Sequence, residues 1–145
     1  DWPVIILLGA MIPVGQAFET TGGAQMIASA LLSFPAHLSP TVVLIILLVA
    51  TMFLSDLINN AACAVLMAPI AISLASGLGV SADPFLMAAA IGASCAFLTP
   101  IGHQSNALVM GPAGLRFGDY WRMGLPLEMI IVAVAVPSIL YFWPL

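Results

Sequence analysis

The sequence predicts an all-α membrane protein whose transmembrane helices are joined by a re-entrant helical hairpin and a discontinuous helix. Three observations carry that prediction. The chain is 63% hydrophobic and only 6% charged, whereas a soluble domain is nearer one quarter charged. Its apolar runs match the lengths that helices need to cross a bilayer. Two of those runs, over 41–78 and 85–110, are broken in their middles by polar residues. The first break is Ser55-Asp56-Leu57-Ile58-Asn59-Asn60, and the second is Thr99-Pro100-Ile101-Gly102-His103-Gln104-Ser105-Asn106. Lipid offers no hydrogen-bond partner, so such breaks persist only where protein buries them or water fills a cavity.

Composition also excludes some functions. Arg116 and Arg122 are the only basic residues apart from histidine, so the net charge of -4 reflects a scarcity of cations. Nucleic-acid binding needs a cluster of Lys or Arg to neutralise phosphates, and none exists. Cys63 and Cys95 fall in apolar helical stretches, where free cysteine behaves as a small hydrophobe. They have no companion ligands at metal-binding spacing, so no cofactor is expected. The chain opens at Asp1-Trp2-Pro3, without Met or a signal-peptide n-region, and reads as the C-terminal part of a longer protein.

The elements follow in order. Residues 1–23 form a transmembrane helix over Trp2 to Phe18, stopped by Glu19-Thr20-Thr21-Gly22-Gly23. Residues 24–39 hold an interfacial helix and a loop. In Ala24 to Phe34, the polar residues Gln25, Ser29 and Ser33 recur every four positions opposite Met26, Ile27, Leu31 and Leu32. His37 sits in the loop as a surface residue. Residues 40–80 make the hairpin, with arms over Thr41–Leu54 and Ala61–Leu78 and a kink expected at Pro69. The tip carries no Gly or Pro and one charge, which favours a return to the same face over two complete spans. Hydropathy alone leaves the two-span reading open.

Residues 84–114 are the discontinuous helix. Asp83 is expected at its cap and Pro84 at its first helical position. Its first half, to Phe97, is rich in small residues at Ala88-Ala89-Ala90 and Gly92-Ala93-Ser94, which let helices approach closely. Residues 115–124 read as a loop with Arg116, Tyr120, Trp121 and Arg122, cytoplasmic by the positive-inside rule. Residues 125–145 are the last transmembrane helix, which carries the C-terminus outside; the hairpin then enters from outside.

Paired breaks near the membrane midplane point to the binding site of a secondary transporter. Asn59 and Asn60 offer both carbonyl acceptors and N–H donors, where one arm ends in free carbonyls and the next begins with free amides. Such a tip suits an anion beside its coupling cation; alternatively the two residues only cap the second arm. Asp56 reads as the one carboxylate deep in the apolar region, accepting backbone N–H bonds as structural support; cation ligand and proton carrier are its other readings. Ser55 and Thr99 offer oxygens to a cation, Gly102 admits close backbone approach, and Asn106 is expected to cap the second half-helix. His103 either faces an anion or packs as a neutral ring. Two other classes compete: a membrane-embedded hydrolase built on Ser55, Asp56 and His103, and a passive anion channel, which needs a continuous polar lining.

These residues resemble the C-terminal half of the divalent anion:sodium symporter family, within the citrate-transporter-like (ion transporter) superfamily. Asn59-Asn60-Ala61-Ala62-Cys63-Ala64, with Pro69, stands where that family has a Ser-Asn-Thr signature, small residues and a Pro. Pro100-Ile101-Gly102-His103-Gln104-Ser105-Asn106 matches its Pro-x-Gly-Thr-Pro-Pro-Asn-like break, and Phe117-Gly118-Asp119 and Gly124-Leu125-Pro126 also fit. The resemblance implies one repeat of an inverted-repeat, elevator-type symporter in the inner or plasma membrane, not an enzyme. Its partners would be the missing N-terminal repeat, a second copy in a homodimer, and a small divalent anion. Substrate would meet Asn59, Asn60, Ala61 and His103. Na⁺, with H⁺ as the alternative coupling ion, would meet Ser55, Ile58, Asn60 and Gly102, partly through backbone carbonyls. Asp56, Thr99 and Asn106 would support them. Ala61 and His103 replace hydroxyl residues of the family, which puts sulfate level with dicarboxylates as substrate.

Overall fold

The computed structural model describes residues 38–145 apart from Asn59, together with Pro13, Ala17, residues 20–23, Met26 and Ser29. The first span over Trp2–Phe18, the interfacial helix over Ala24–Phe34 and the loop position of His37 fall largely outside the described residues. Among the described residues five helices are delimited: α1 Pro40–Ser55, α2 Asn60–Leu78, α3 Asp83–Ala93, α4 Gln104–Met110 and α5 Phe117–Phe142. No strand occurs among the described residues.

Local chemistry sets the helix ends. The Ser39 hydroxyl accepts from the Val42 amide at 3.4 Å, and Pro40 opens α1 at a position where its missing N–H is not needed. α1 stops at Ser55, where the polar tip begins. α2 continues through Pro69 for 19 residues. It closes at Gly79, whose φ of 68° directs the Val80 amide onto the Ala75 carbonyl (3.1 Å) and its own amide onto Ser76 (3.2 Å). Such a left-handed residue past a helix end is natural for glycine.

Three boundaries depart from expectation. Asp83 is the first residue of α3, not its cap; Ala82 takes the cap position, and the Asp83 amide bonds the Ser81 hydroxyl at 3.3 Å. α3 also ends at Ala93, a turn short of Phe97. The Ala93 carbonyl, which would accept the next helical bond, accepts from the Ser55 hydroxyl at 2.6 Å instead. Finally, α5 begins at Phe117, so much of the expected loop is helical. The Asp119 carboxylate accepts from the Arg116 amide at 2.7 Å and starts that helix.

α3 is the centre of the packing and lies against α1, α2 and α5. α1 buries Val43, Leu44, Leu47, Leu48 and Thr51, spaced by three and four along one face. α3 answers with Phe85, Ala88, Ala89 and Gly92. A Cβ on Gly92 would lie 2.8 Å from Thr51 Cβ and 2.9 Å from the Leu48 carbonyl, so the α1–α3 crossing requires glycine there. α5 buries a single stripe of Gly124, Glu128, Ala135, Val136 and Ile139. Its outer face exposes Met123, Met129, Ile130, Val134 and Tyr141, a surface suited to hydrocarbon. α2 and α5 are long and apolar enough to cross a membrane; α1 and α3 are shorter apolar helices.

Candidate functional site

The two breaks interlock. Ser55, the last residue of α1, is fully buried. Its hydroxyl lies 2.6 Å from the Ala93 carbonyl and 3.1 Å from Asn60 Oδ1, so one proton serves two acceptors. The hydroxyl thereby ties the end of α1 to the start of α2 and the end of α3. Asp56 reaches into the second break. Its Oδ1 accepts from the Leu98 amide at 2.9 Å, and its backbone carbonyl accepts from the Thr99 hydroxyl at 2.8 Å. Thr99 Oγ1 in turn accepts from the Gly102 amide at 3.1 Å.

Gly102 is what lets the chains touch. A Cβ there would lie 2.8 Å from Ala96 Cβ and 3.1 Å from both Asp56 Cα and the Ser55 carbonyl oxygen. Glycine therefore allows one break to lie directly on the backbone of the other. The Ser55 carbonyl and Gly102, both assigned to the cation on sequence grounds, are neighbours. Ile58 and Ala61 are half-buried on either side of the tip. Asn59 lies outside the described residues.

Asn106 is placed differently from expectation. α4 is capped by His103, and Asn106 sits inside the helix. Its Nδ2 donates back to the Ala96 carbonyl at 2.7 Å and the Thr99 carbonyl at 3.2 Å. It thus satisfies carbonyls that the interrupted helix leaves free. The Tyr120 hydroxyl donates to the Asn106 carbonyl at 2.6 Å, which anchors α5 to the same turn. His103 is exposed, and its Nδ1 accepts from the Ser105 amide at 3.2 Å while bonding the Ser105 hydroxyl. Ser55, Asp56, Asn60, Thr99 and Gly102 are joined by direct contacts; His103 adjoins them through the chain and bonds its own helix start. A hydrolase would need a base on the Ser55 hydroxyl, but that hydroxyl is committed to Ala93 and Asn60.

Asp56 is not the only deep carboxylate. Glu128 is 6% exposed, on the inner stripe of α5, where residue-by-residue reading passed over it. Its signal was available: an acid inside the apolar run from Leu125 to Phe142. A Cβ at Gly124, one turn earlier, would collide with the Phe97 carbonyl, so α5 is held close to the second break there.

Apolar helices of spanning length around an interlocked polar break describe a helical membrane transport protein. Comparison with known proteins specifies which: residues 1–145 match the citrate transporter family over the whole chain, and the chain belongs to that family. It is 39% identical over 143 residues to the uncharacterized transporter YfbS of Escherichia coli, covering 99% of this chain and 23% of that protein. It is 30% identical over 135 residues to sodium/sulfate cotransporter 2 of Chlamydomonas reinhardtii, covering 92% of this chain and 15% of that protein. It is 24% identical over 143 residues to the sodium-dependent dicarboxylate transporter SdcS of Staphylococcus saprophyticus, covering 99% and 27%. The chain thus spans between 15% and 27% of the length of these relatives. The family and these relatives are transporters, not enzymes.

Proposed function

We propose that this chain forms part of a secondary active transporter that carries a small divalent anion, sulfate or a dicarboxylate, by cation-coupled symport. The observation that carries this reading is the interlock of the two breaks through Ser55, Asp56, Thr99 and Gly102. It supports a single site at the junction of α1, α2 and the segment before α4. Na⁺ is the coupling ion that relatives named for sodium favour, with the Ser55 and Ile58 carbonyls, Asn60 and the Gly102 region as its ligands. Asn59, Asn60, Ala61 and His103 face the anion. Asn60 belongs to both sets, which couples them.

In this reading α1 and α2 are the arms of a re-entrant hairpin, and the hairpin moves with α3 and α4 as an elevator domain. A second, inverted repeat of the same protein completes the site, and two copies form a dimer. The Arg116–Arg122 segment faces the cytoplasm, and the C-terminus lies outside. The test is uptake of labelled sulfate and succinate by the full-length protein in proteoliposomes. Saturable uptake that rises with an inward Na⁺ gradient is expected. Flux that neither saturates nor responds to any cation gradient would refute symport.

A further inference from the structure

Glu128 is buried in an apolar setting that leaves it short of donors. It is 6% exposed, and among the described residues its Oε1 has no hydrogen-bond partner. It lines a groove of about 310 Å³ between α1 and α5, whose other walls include Val49, Met52, Phe53, Leu125 and Met129. Glu128 is the one polar side chain there. Phe53 and Met129 are exposed, so the groove opens on the outer surface of this chain. Arg116 and Arg122 are the only basic residues apart from histidine, and both are exposed around the start of α5.

The depth of Glu128 in the bilayer follows from α5 itself. Exposed aromatics mark both ends of the helix, Phe117 and Trp121 at one and Tyr141 and Phe142 at the other, as at the two surfaces of a membrane. Trp121 and Tyr141 lie about 30 Å apart along the axis, which matches a hydrocarbon core of about 30 Å. Glu128 is roughly two turns in from Trp121, about 10 Å deep. Lipid tails at that depth supply no donor. A hydrocarbon chain could fill the groove and would still leave the carboxylate unpaired.

We propose that the α1–α5 groove seats a transmembrane helix of the full-length protein from outside these 145 residues, and that a Lys or Arg on that helix pairs with Glu128. Acids inside a membrane pair with groups that other helices bring to them. A neutral donor would fill one lone pair and leave a net charge in hydrocarbon, whereas a cation satisfies both needs. The matched region makes up 23% of YfbS and 15% of sodium/sulfate cotransporter 2, so relatives of this length hold most of their helices elsewhere. A second copy of this chain is the weaker occupant, because it brings the same two arginines, placed at the end of its own α5. The proposal rests on α5 crossing a membrane and is independent of the transport reading above.

The test uses the full-length protein in lipid nanodiscs, with the photo-crosslinker p-benzoylphenylalanine placed at Phe53 or at Met129 on the groove walls and Glu128 left intact. Crosslinked peptides are read by mass spectrometry, with isotopically mixed chains to separate contacts within one polypeptide from contacts between two. The expected product joins the groove to a segment of the same polypeptide beyond these 145 residues, within one helical turn of a Lys or Arg. A probe that captures only lipid, a second copy, this chain's own residues or nothing overturns the proposal, as does a captured segment without a base. The pairing is then measured by a double-mutant cycle in reversible unfolding. Glu128→Gln and replacement of that base by Met should each raise the unfolding constant, and together by about fivefold or more below the product of the two. Should Glu128→Gln fail to fold, Glu128→Asp takes its place in the cycle. Effects that simply multiply would overturn the pairing. An absence of uptake would count against the transport reading, while the crosslink and the cycle still decide this site.

Discussion

Thr99→Val isolates the interlock from everything else. Valine keeps the shape of threonine and removes only the hydroxyl. That hydroxyl donates to the Asp56 carbonyl at 2.8 Å and accepts from the Gly102 amide at 3.1 Å. Both partners belong to buried residues, so water replaces the lost bonds poorly. A hydrogen bond contributes about 0.5–1.5 kcal/mol net, and a buried group left unpaired costs about 1–3 kcal/mol. Thr99 itself is only half-buried, which puts the expected loss for the two bonds at about 2 kcal/mol, or roughly 30-fold in the unfolding equilibrium. Thr99→Ser keeps the hydroxyl and removes one methyl, at about 0.8 kcal/mol or less. Reversible unfolding of the full-length protein in mixed micelles, followed by circular dichroism, measures both. Na⁺ binding should weaken in Thr99→Val and survive in Thr99→Ser. A Thr99→Val protein as stable as wild type, or a serine variant as damaged as the valine one, would refute the reasoning, because the hydroxyl would then hold nothing.

Three further predictions concern the proposed site. Asn60→Ala should weaken cation and anion binding together, by about 1–3 kcal/mol each, and should shrink the cation's effect on anion affinity by linkage; unchanged Na⁺ dependence in a titration would reduce Asn60 to a helix-start residue. His103→Ala, which removes a hydrogen-bonding side chain from the proposed anion site, should weaken sulfate affinity by about 0.5–1.5 kcal/mol in a binding titration of the full-length protein, and an unchanged affinity would make His103 purely structural. Cysteines at Thr41 and Val80 should react with an impermeant thiol reagent from the same side of the membrane if α1 and α2 are hairpin arms, whereas labelling from opposite faces would establish two spans.

Much of this architecture was legible without coordinates. Apolar runs and the residues that interrupt them are local features, so the arms read as Thr41–Leu54 and Ala61–Leu78 lie within a residue of α1 and α2 at both ends. The need for small residues on α3 was legible too, and Gly92 meets it against Thr51 and Leu48. Of the boundaries that moved, the starts of α3 and α5 are set by local bonds at Ser81 and Asp119, and only the end of α3 is set by a tertiary contact. α3 stops early because a serine 38 residues away takes the Ala93 carbonyl. Asn106 reaches back to Ala96 and Thr99 instead of capping α4, because free carbonyls in the break compete for its amide.

The sequence by itself determined that this is a helical membrane protein with two polar interruptions, since hydrocarbon enforces apolar length and intrahelical bonding on every span. Only the tertiary structure decided which polar groups meet. Asp56 bonds residues 42 and 43 positions away, and α5 approaches the same segment at Gly124, where a Cβ would collide with the Phe97 carbonyl. Such pairings depend on helices crossing at particular places. A break in a span shows that its freed backbone groups must find partners, but the partners' identity is set by what the fold brings within hydrogen-bonding distance.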